Sequence, residues 1–256
     1  PPVFAVADGM GGHLGGAQAS SRAVITLQQF LSPERLGNRP VDLVDLSVAI
    51  DAAASSVASL APADNPMSAP GTTLSGVMVL RTTEGPYWLS FNVGDSRAYV
   101  VGAGGIRQLT HDHSAIQEAR DLAATSGAPR VIPPANVVTK ALGAGQPGSV
   151  KADYTIMPLE EGDRAVICTD GVHGVLQDSQ IHAIVAAGDG PQGSADALVR
   201  ASLEAGTRDN SSAVVVYAGT ESRVTLTSNV MNRMIQPVRP ASIKTARRVP
   251  RREGSN

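Results

Sequence analysis

The sequence contains a single cysteine among its 256 residues, and this scarcity excludes two kinds of architecture. With only Cys168 available, the chain cannot form an intramolecular disulfide framework or a cysteine-rich zinc site. Such cysteine usage fits a reducing compartment, and we expect a cytoplasmic protein. Cys168 itself lies in the apolar run AVICTDG, which favours a buried structural thiol over a reactive one.

Long apolar runs are also absent. No window approaches the roughly 18 consecutive apolar residues that indicate a transmembrane helix, and no signal peptide precedes the first residues, PPVF. The chain begins with Pro-Pro rather than methionine, already at the edge of a strand-like run. We therefore expect its natural start to lie upstream.

Net charge is nearly balanced, because 21 basic and 23 acidic side chains leave a formal charge of −2. With 42% apolar and 17% charged residues, the composition is that of an ordinary globular protein, not of a nucleic-acid-binding or disordered chain. A chain of this length can enclose a large core in one domain. We expect one such domain, a monomer and no nucleic-acid partner.

Strand signals recur as runs of β-branched and apolar residues bounded by turn residues. The sequence GAGG, between RAYVV and IRQL, predicts a hairpin in an antiparallel sheet. Helical apolar spacing predicts helices at 17–31 and 42–61, with others near 114–124, 179–187 and 194–205. Helices inserted between hairpin-linked strands predict an α+β fold in which antiparallel sheet is covered by helices. The predicted strands are VFAVA, TTLSGVMVL, YWLSFNV, RAYVV, RAVIC and SSAVVVYA.

The segment 220–256 differs in composition from the rest of the chain. It holds eight basic and two acidic residues, a net charge of +6, together with several prolines and few apolar residues. This composition predicts a disordered basic tail. Such a tail is either a solvated end of the chain or a contact for an acidic partner, RNA or a membrane surface.

Four aspartates stand where an apolar run meets a turn. Asp8, Asp95 and Asp170 follow predicted strands, and Asp209 precedes one. In an antiparallel sheet the end of one strand and the start of its neighbour lie at the same edge, so the four side chains can converge there. Clustered carboxylates repel one another and need compensating positive charge. The alternative for each is an ordinary turn, for which Asp-Gly is a common dipeptide.

The surroundings of these aspartates indicate which cation would compensate them. No cysteine or histidine stands at ligand spacing beside them, and oxygen-only ligation favours Mg²⁺ or Mn²⁺ over zinc. Gly9, Gly11 and Gly12 follow Asp8, and a backbone without Cβ can turn sharply and offer a carbonyl to a metal. The sequence therefore predicts a divalent metal site at this sheet edge.

Seven short motifs, in one order along the chain, carry a family resemblance. Together they resemble the motif series of the metal-dependent PPM (PP2C-like) Ser/Thr protein phosphatases of bacterial type, over about residues 3–218. The resemblance implies two antiparallel sheets packed face to face with helices on both outer sides, and a catalytic domain over 1–219. It also implies hydrolysis of phosphoserine and phosphothreonine in proteins that a Ser/Thr kinase has phosphorylated. The motifs are VADGMGGHLGG, GTTL, NVGDSRAYV, QLTHDHS, VTKALG, CTDGV and RDNSSAVVV.

The same resemblance implies a role for each aspartate. Asp8 would bridge two Mn²⁺ or Mg²⁺ ions, the Gly9 carbonyl would bind one ion, and Asp170 and Asp209 would hold the other. Asp95 resembles the ligand of a third, weaker metal. Catalysis would then run through a water that bridges the two ions held by Asp8, Asp170 and Asp209 and attacks the phosphorus in line. No organic cofactor is implied.

The leaving alkoxide requires a proton, and histidines near the motifs are candidate donors. These are His13, His111 and His113, each of which also has an ordinary surface or packing interpretation. Residues 111–138, between IRQL and TKALG, are expected to form the flap that the family places beside its site.

Two departures from the family pattern leave a second function open. Family members carry an upstream strand with a phosphate-gripping Arg, and a Glu-Asp pair after an Asn; nothing precedes Pro1 here to supply them, so the domain is expected to be incomplete at its start. Gly174 stands where many relatives have an acidic residue. The alternative is a non-catalytic binding or regulatory module that keeps the fold. Retention of all four aspartates favours the enzyme.

Overall fold

The computed structural model describes residues 2–11, 13–65, 68–126, 133–134, 136–145, 150–219 and 243–245. The helices are α1 (His13–Phe30), α2 (Pro33–Leu36), α3 (Leu43–Ala58), α4 (Ala115–Ser126), α5 (Asp170–His173), α6 (Asp178–Ala187) and α7 (Pro191–Glu204). The strands are β1 (Val3–Val6), β2 (Gly9–Met10), β3 (Gly71–Thr72), β4 (Leu74–Thr82), β5 (Gly85–Val93), β6 (Arg97–Gly102), β7 (Gly105–Gln108), β8 (Leu142–Gly143), β9 (Asp153–Pro158), β10 (Arg164–Cys168), β11 (Ala213–Tyr217) and β12 (Ile243–Thr245).

The strands form two larger sheets and one small one. The first has the order β1-β4-β5-β9-β12 and the second the order β11-β10-β6-β7, while β2, β3 and β8 form the small third sheet. Neighbouring strands are antiparallel throughout, except that β12 runs parallel to β9. The predicted α+β fold, with antiparallel sheet covered by helices, is confirmed.

Apolar side chains divide into three layers, as the alternation along each strand requires. The middle layer lies between the two larger sheets and excludes water from their facing surfaces. Trp88 is the largest side chain there and is fully buried. The layer combines residues of both sheets: Val6, Val77, Trp88, Ala98, Val100, Leu109, Ala165 and Ile167.

The two outer layers attach helices to the outer faces of the sheets. On the first sheet, Leu46 and Ile50 of α3 belong to the same buried cluster as Met78 and Phe91. On the second, α6 and α7 cover Tyr99 and its neighbours. The result is a sandwich of helix, sheet, sheet and helix layers. Its exposed strand ends are where turns can bring polar residues together.

Local signals in the sequence account for most element boundaries. All six predicted strands are present, and GAGG forms the predicted hairpin, with Gly102 opposite Gly105. Helix α1 begins earlier than predicted, at His13. Helix α3 begins after a reciprocal capping box between Asp42 and Asp45, which satisfies two amide groups at the helix start.

Other predicted features lie partly or wholly outside the described residues. Gly12, residues 127–132 and 135 of the expected flap and most of the expected tail belong to this group. Within the tail, only 243–245 are described, as strand β12, which the sequence analysis did not predict. Across the described residues, the helices are all too short or too polar to cross a membrane.

Candidate metal centre

Asp8 follows β1, and its backbone is held on both sides by the two threonines of the GTTL motif. Its N–H donates to Thr73 Oγ1 at 2.9 Å. Its carbonyl accepts from Thr72 Oγ1 at 2.8 Å and from the Thr73 N–H at 2.8 Å. These hydrogen bonds fix the direction in which the turn presents the Asp8 side chain.

Gly9 permits the start of helix α1 to approach this turn closely. A Cβ on Gly9 would lie 2.0 Å from the Gly16 carbonyl oxygen, and a Cβ on Gly16 would lie 2.6 Å from the Gly9 carbonyl oxygen. No side chain fits such spacing, so both positions require glycine. From the sequence, glycine is expected here because a backbone without Cβ can turn sharply; in the structure, the close contact with α1 is a further reason why position 9 cannot carry a Cβ.

Asp95 lies in the turn between β5 and β6, one residue after Gly94, whose φ of +107° favours glycine. The Gly94 N–H donates to His113 Nδ1 at 3.0 Å, and the His113 N–H donates to the Gly94 carbonyl at 2.9 Å. The Asp95 carbonyl contacts His173 Nε2 at 3.0 Å. The backbone around Asp95 is therefore tied to two distant segments.

Asp170 begins helix α5, immediately after β10. The preceding residue, Thr169, donates its N–H to the Ser212 carbonyl at 3.1 Å, and its Oγ1 accepts from the Ser212 N–H at 3.1 Å. Atom Oδ1 of Asp170 is buried and has no hydrogen-bond partner within the described part of the chain. A buried carboxylate oxygen without a partner is energetically costly and indicates a place for a cation.

Asp209 is exposed and lies in the loop that leads into β11. This loop touches the first turn of α5, since a Cβ on Gly171 would lie 2.2 Å from the Asn210 carbonyl oxygen. Ser211 Oγ donates to the Gly171 carbonyl at 3.0 Å. Glycine at position 171 thus lets the Asp209 loop come close to Asp170.

The four predicted aspartates are near enough to act on one another electrostatically. Burial, followed by the neighbouring Asp170 carboxylate, raises the pKa of Asp8 to about 7, with smaller contributions from Asp209 and Asp95. Burial and Asp170 also raise the pKa of Asp95 to about 6. Both directions are those expected for carboxylates that share a site without a cation.

The sheet edge that carries Asp8, Asp95, Asp170 and Asp209 is called the rim below. Its donor chemistry suits a hard divalent ion. Its side-chain donors are carboxylates, one buried oxygen lacks a partner, and two of the acids hold their protons more tightly than usual. These properties fit Mg²⁺ or Mn²⁺. The side chains do not form a closed cage, because no three His, Cys, Asp or Glu in the described ranges are arranged to hold an ion. Backbone carbonyls and water would have to complete the coordination.

Three residues around the rim were not identified from the sequence. Arg97 donates to both oxygens of Asp112, at 2.7–3.0 Å, and Asp112 is only 5% exposed. This ion pair anchors the start of β6, next to Asp95. Burial lowers the pKa of His173 to about 4, so the ring is neutral at pH 7 and can donate from Nε2 to the Asp95 carbonyl.

The candidate proton donors occupy different surroundings. His111 Nε2 contacts Asp121 of α4 at 2.7 Å and is partly exposed. His113 has both ring nitrogens engaged, by the Gly94 N–H and by Asp153 Oδ2 at 3.3 Å, which indicates a positioning role. The side chain of His13 lies outside the described residues.

Comparison with known proteins gives concordant matches. The family model described as protein phosphatase 2C matches residues 2–203. The serine/threonine phosphatase Stp of Listeria welshimeri is 27% identical over 218 residues, which are 84% of each chain.

Solved structures agree with that match. The catalytic domain of the serine/threonine protein phosphatase PstP in complex with two manganese ions is 28% identical, with a TM-score of 0.68 over 83% of this chain and 86% of that one. The PPM Ser-Thr phosphatase MsPP of Mycobacterium smegmatis, in complex with cacodylate, is also 28% identical, with a TM-score of 0.68 over 85% and 88% of the two chains. Because the family model covers most of the sequence, the chain belongs to the protein phosphatase 2C (PPM) family of metal-dependent phosphatases.

Proposed function

We propose that this chain hydrolyses phosphoserine and phosphothreonine in proteins, with Mn²⁺ or Mg²⁺ ions held by its aspartates. The observation that carries the proposal is the buried, unpartnered Oδ1 of Asp170 in the described structure, beside an Asp8 whose pKa is raised to about 7. A divalent cation would compensate both. The relatives named above, one of them a manganese complex, support the same assignment.

Each acidic residue has a distinct place in this proposal. Asp8 would bridge two ions, the Gly9 carbonyl would bind the first, and Asp170 and Asp209 would hold the second. Asp95, whose pKa is also raised by Asp170, would bind a third ion. These assignments are supported by the mutual effect of the carboxylates on the pKa values of Asp8 and Asp95.

The protein groups contribute by holding these donors in place. When bound, the ions would lower the pKa of a water so that it can act as the nucleophile, and would neutralise charge on the phosphoryl oxygens. Thr72 and Thr73 hold the Asp8 backbone, and neutral His173 holds the Asp95 carbonyl. Such preorganised groups need not rearrange as charge develops, which is how they favour the reaction.

Several wider features belong to the same proposal. The substrates would be proteins phosphorylated by a Ser/Thr kinase, the enzyme would act as a cytoplasmic monomer, and residues 1–219 would form its catalytic domain. The basic segment 220–256 would contact an acidic partner through residues other than Ile243–Thr245, which form β12 in the first sheet. A purely binding role for the domain is less favoured, because a binding module gains nothing from keeping carboxylates that repel one another.

The first test compares hydrolysis of p-nitrophenyl phosphate by the wild type, Asp170→Ala and Asp196→Ala, in Mn²⁺ and in EDTA. Asp196 is an exposed acid on α7 and serves as a matched control. We expect Mn²⁺-dependent turnover that EDTA abolishes, that Asp196→Ala retains, and that Asp170→Ala lowers by about 10²-fold or more. Circular dichroism of each variant is recorded to check that the protein is folded.

Two results would contradict the proposal in different ways. Normal Mn²⁺-dependent turnover by Asp170→Ala would refute the metal assignment. A folded wild type that binds Mn²⁺ but hydrolyses neither this ester nor a phosphothreonine peptide would support the binding module instead. A phosphotyrosine peptide tested in parallel shows whether the Ser/Thr assignment is correct.

A further inference from the structure

A chain of buried polar side chains connects the Asp8 turn to the Asp95 turn. Its members are Thr73, Ser75, Asn92 and Ser96, and none is more than 1% exposed. Buried hydroxyl and amide groups are costly unless hydrogen-bonded, so their arrangement reflects a specific network. The residues belong to three different segments, around the starts of β4 and β6 and the end of β5.

Thr73 is the member that touches the Asp8 turn directly. Its Oγ1 accepts the Asp8 N–H at 2.9 Å and lies 2.8 Å from Ser96 Oγ. A threonine hydroxyl has one proton and two lone pairs. It can therefore accept from Asp8 and make the hydrogen bond to Ser96 at the same time, joining the two turns through one atom.

The remaining members fix the backbone on both sides of Asp95. Ser75 Oγ donates to the Ser96 carbonyl at 2.8 Å and contacts Asn92 Oδ1. Asn92 Nδ2 donates to the Gly94 carbonyl at 2.9 Å. The backbone carbonyls of residues 94 and 96 are thus both held, which fixes the backbone position of Asp95 relative to Thr73.

We propose that Thr73 is a positioning residue whose hydroxyl sets the spacing between the Asp8 and Asp95 carboxylates, and thereby the affinity for divalent metal. This inference rests on the proposed function, because it takes both aspartates as metal ligands. Thr73 touches neither metal nor substrate in this account. It acts through the Asp8 amide and through Ser96.

The test compares Thr73→Val, which is nearly isosteric but lacks the hydroxyl, with Thr73→Ser, which keeps it. Bound Mn²⁺ is measured by the loss of the free-ion signal in electron paramagnetic resonance, independently of turnover. Losing the hydrogen bonds of one hydroxyl corresponds to about a fivefold to tenfold change in an equilibrium constant. We expect Thr73→Val to raise the half-saturating Mn²⁺ concentration by that factor, and Thr73→Ser to stay within about twofold of wild type.

Ser194→Ala is the matched control. Ser194 is fully buried, and its hydroxyl contacts the Tyr217 hydroxyl at 2.8 Å on the outer, α7 side of the second sheet. Its removal is expected to lower the unfolding temperature measured in EDTA and to leave Mn²⁺ binding unchanged. The control separates general loss of stability from a specific effect on the metal site.

A double-mutant cycle with Ser96→Ala tests the route through which Thr73 acts. If the two hydroxyls work together, the double variant should bind Mn²⁺ about as weakly as Thr73→Val alone, because Thr73→Val already removes the contact with Ser96. If Thr73→Val does not fold, Ser96→Ala alone removes the same contact from its other end, and the same fivefold to tenfold weakening is expected.

The inference is overturned if Thr73→Val binds Mn²⁺ like wild type, or if Thr73→Ser is weakened as much as Thr73→Val. It is also overturned if the folded Ser96→Ala variant binds normally, or if the effects of the two substitutions are simply additive. A wild type that binds no Mn²⁺ would refute the proposed function and this inference together. Because that outcome is measured on the wild type, it distinguishes failure of the proposed function from failure of the Thr73 inference alone.

Discussion

Burial shifts the pKa of individual side chains in opposite directions according to their charge. It raises the pKa of the Asp8 and Asp95 carboxyl groups and lowers the pKa of the His173 imidazole, because a low-dielectric surrounding disfavours every charged form. The neutral histidine can donate to the Asp95 carbonyl, whereas the crowded carboxylates hold their protons more tightly unless a cation compensates their charge. A single physical cause therefore accounts for opposite behaviour within one rim.

Cys168 provides a prediction at the same scale. The thiol is fully buried in β10, and burial raises its pKa to about 12. The folded protein should therefore not react with Ellman's reagent at pH 8 on the timescale of minutes, while the chain in guanidinium should react fully. Between about pH 9 and 12 the unfolded thiol ionises first, so stability should fall as pH rises. Rapid reaction of the folded protein would contradict this account.

At the scale of elements, the rim is assembled by loops that lock onto neighbouring turns. The Asp95 turn is held by His113, whose other ring nitrogen contacts Asp153 at the start of β9. Lys140 Nζ reaches the same Asp153 at 3.1 Å. The segment that leads into helix α4 and the segment around Lys140 are therefore both joined to strand β9 of the first sheet.

Gly171 offers a test of how tightly two elements must approach. Gly171→Ala would place a Cβ 2.2 Å from the Asn210 carbonyl oxygen, so the Asp209 loop must move away from Asp170. We expect a loss of Mn²⁺-dependent turnover of about tenfold or more, since misplacement of a site by about 1 Å can cost 10²-fold. Far-ultraviolet circular dichroism should be unchanged, because alanine favours helix α5.

Gly104→Ala is the control for that substitution. A Cβ at position 104 meets no atom within 4 Å, in the hairpin between β6 and β7. This variant should keep wild-type turnover. If Gly171→Ala also kept it, the close approach of the Asp209 loop would not matter for activity.

At the scale of the whole molecule, the metal should contribute to stability. An ion that binds only the folded state stabilises it by about 2.7 kcal/mol at a concentration 100 times its Kd, or roughly 5–10 °C in Tm for a domain of this size. We expect calorimetry to show such a rise in Tm with Mn²⁺ for the wild type, and no rise for Asp170→Ala. In EDTA the variant should be at least as stable as wild type, because it removes repulsion between carboxylates. An equal rise in both proteins would place the stabilising ion elsewhere.

Local pattern was enough to predict much of this protein. Runs of β-branched and apolar residues predicted β4, β5 and β10, and the glycine-rich GAGG predicted the β6–β7 hairpin, while the assignment of the four strand-end aspartates to one metal site stays a prediction. These features depend on neighbours in the chain. Strand β9 was missed, because its short sequence DYTIMP carries a weak signal and gains its stability from pairing with β5.

The contacts that hold the rim together were decided by the tertiary structure alone. The hydrogen bond from Asp8 to Thr73 joins residues 65 positions apart, and that between His173 and Asp95 joins residues 78 positions apart. Such pairs depend on which strands are neighbours, on their register and on the loops that meet at the sheet edge. By itself, the sequence determined most strands and helices, the hairpin turn and the identity of the acidic residues. Only the folded sandwich determined which buried hydroxyl or imidazole would hold each of them, because a polar group's partner is set by proximity in space.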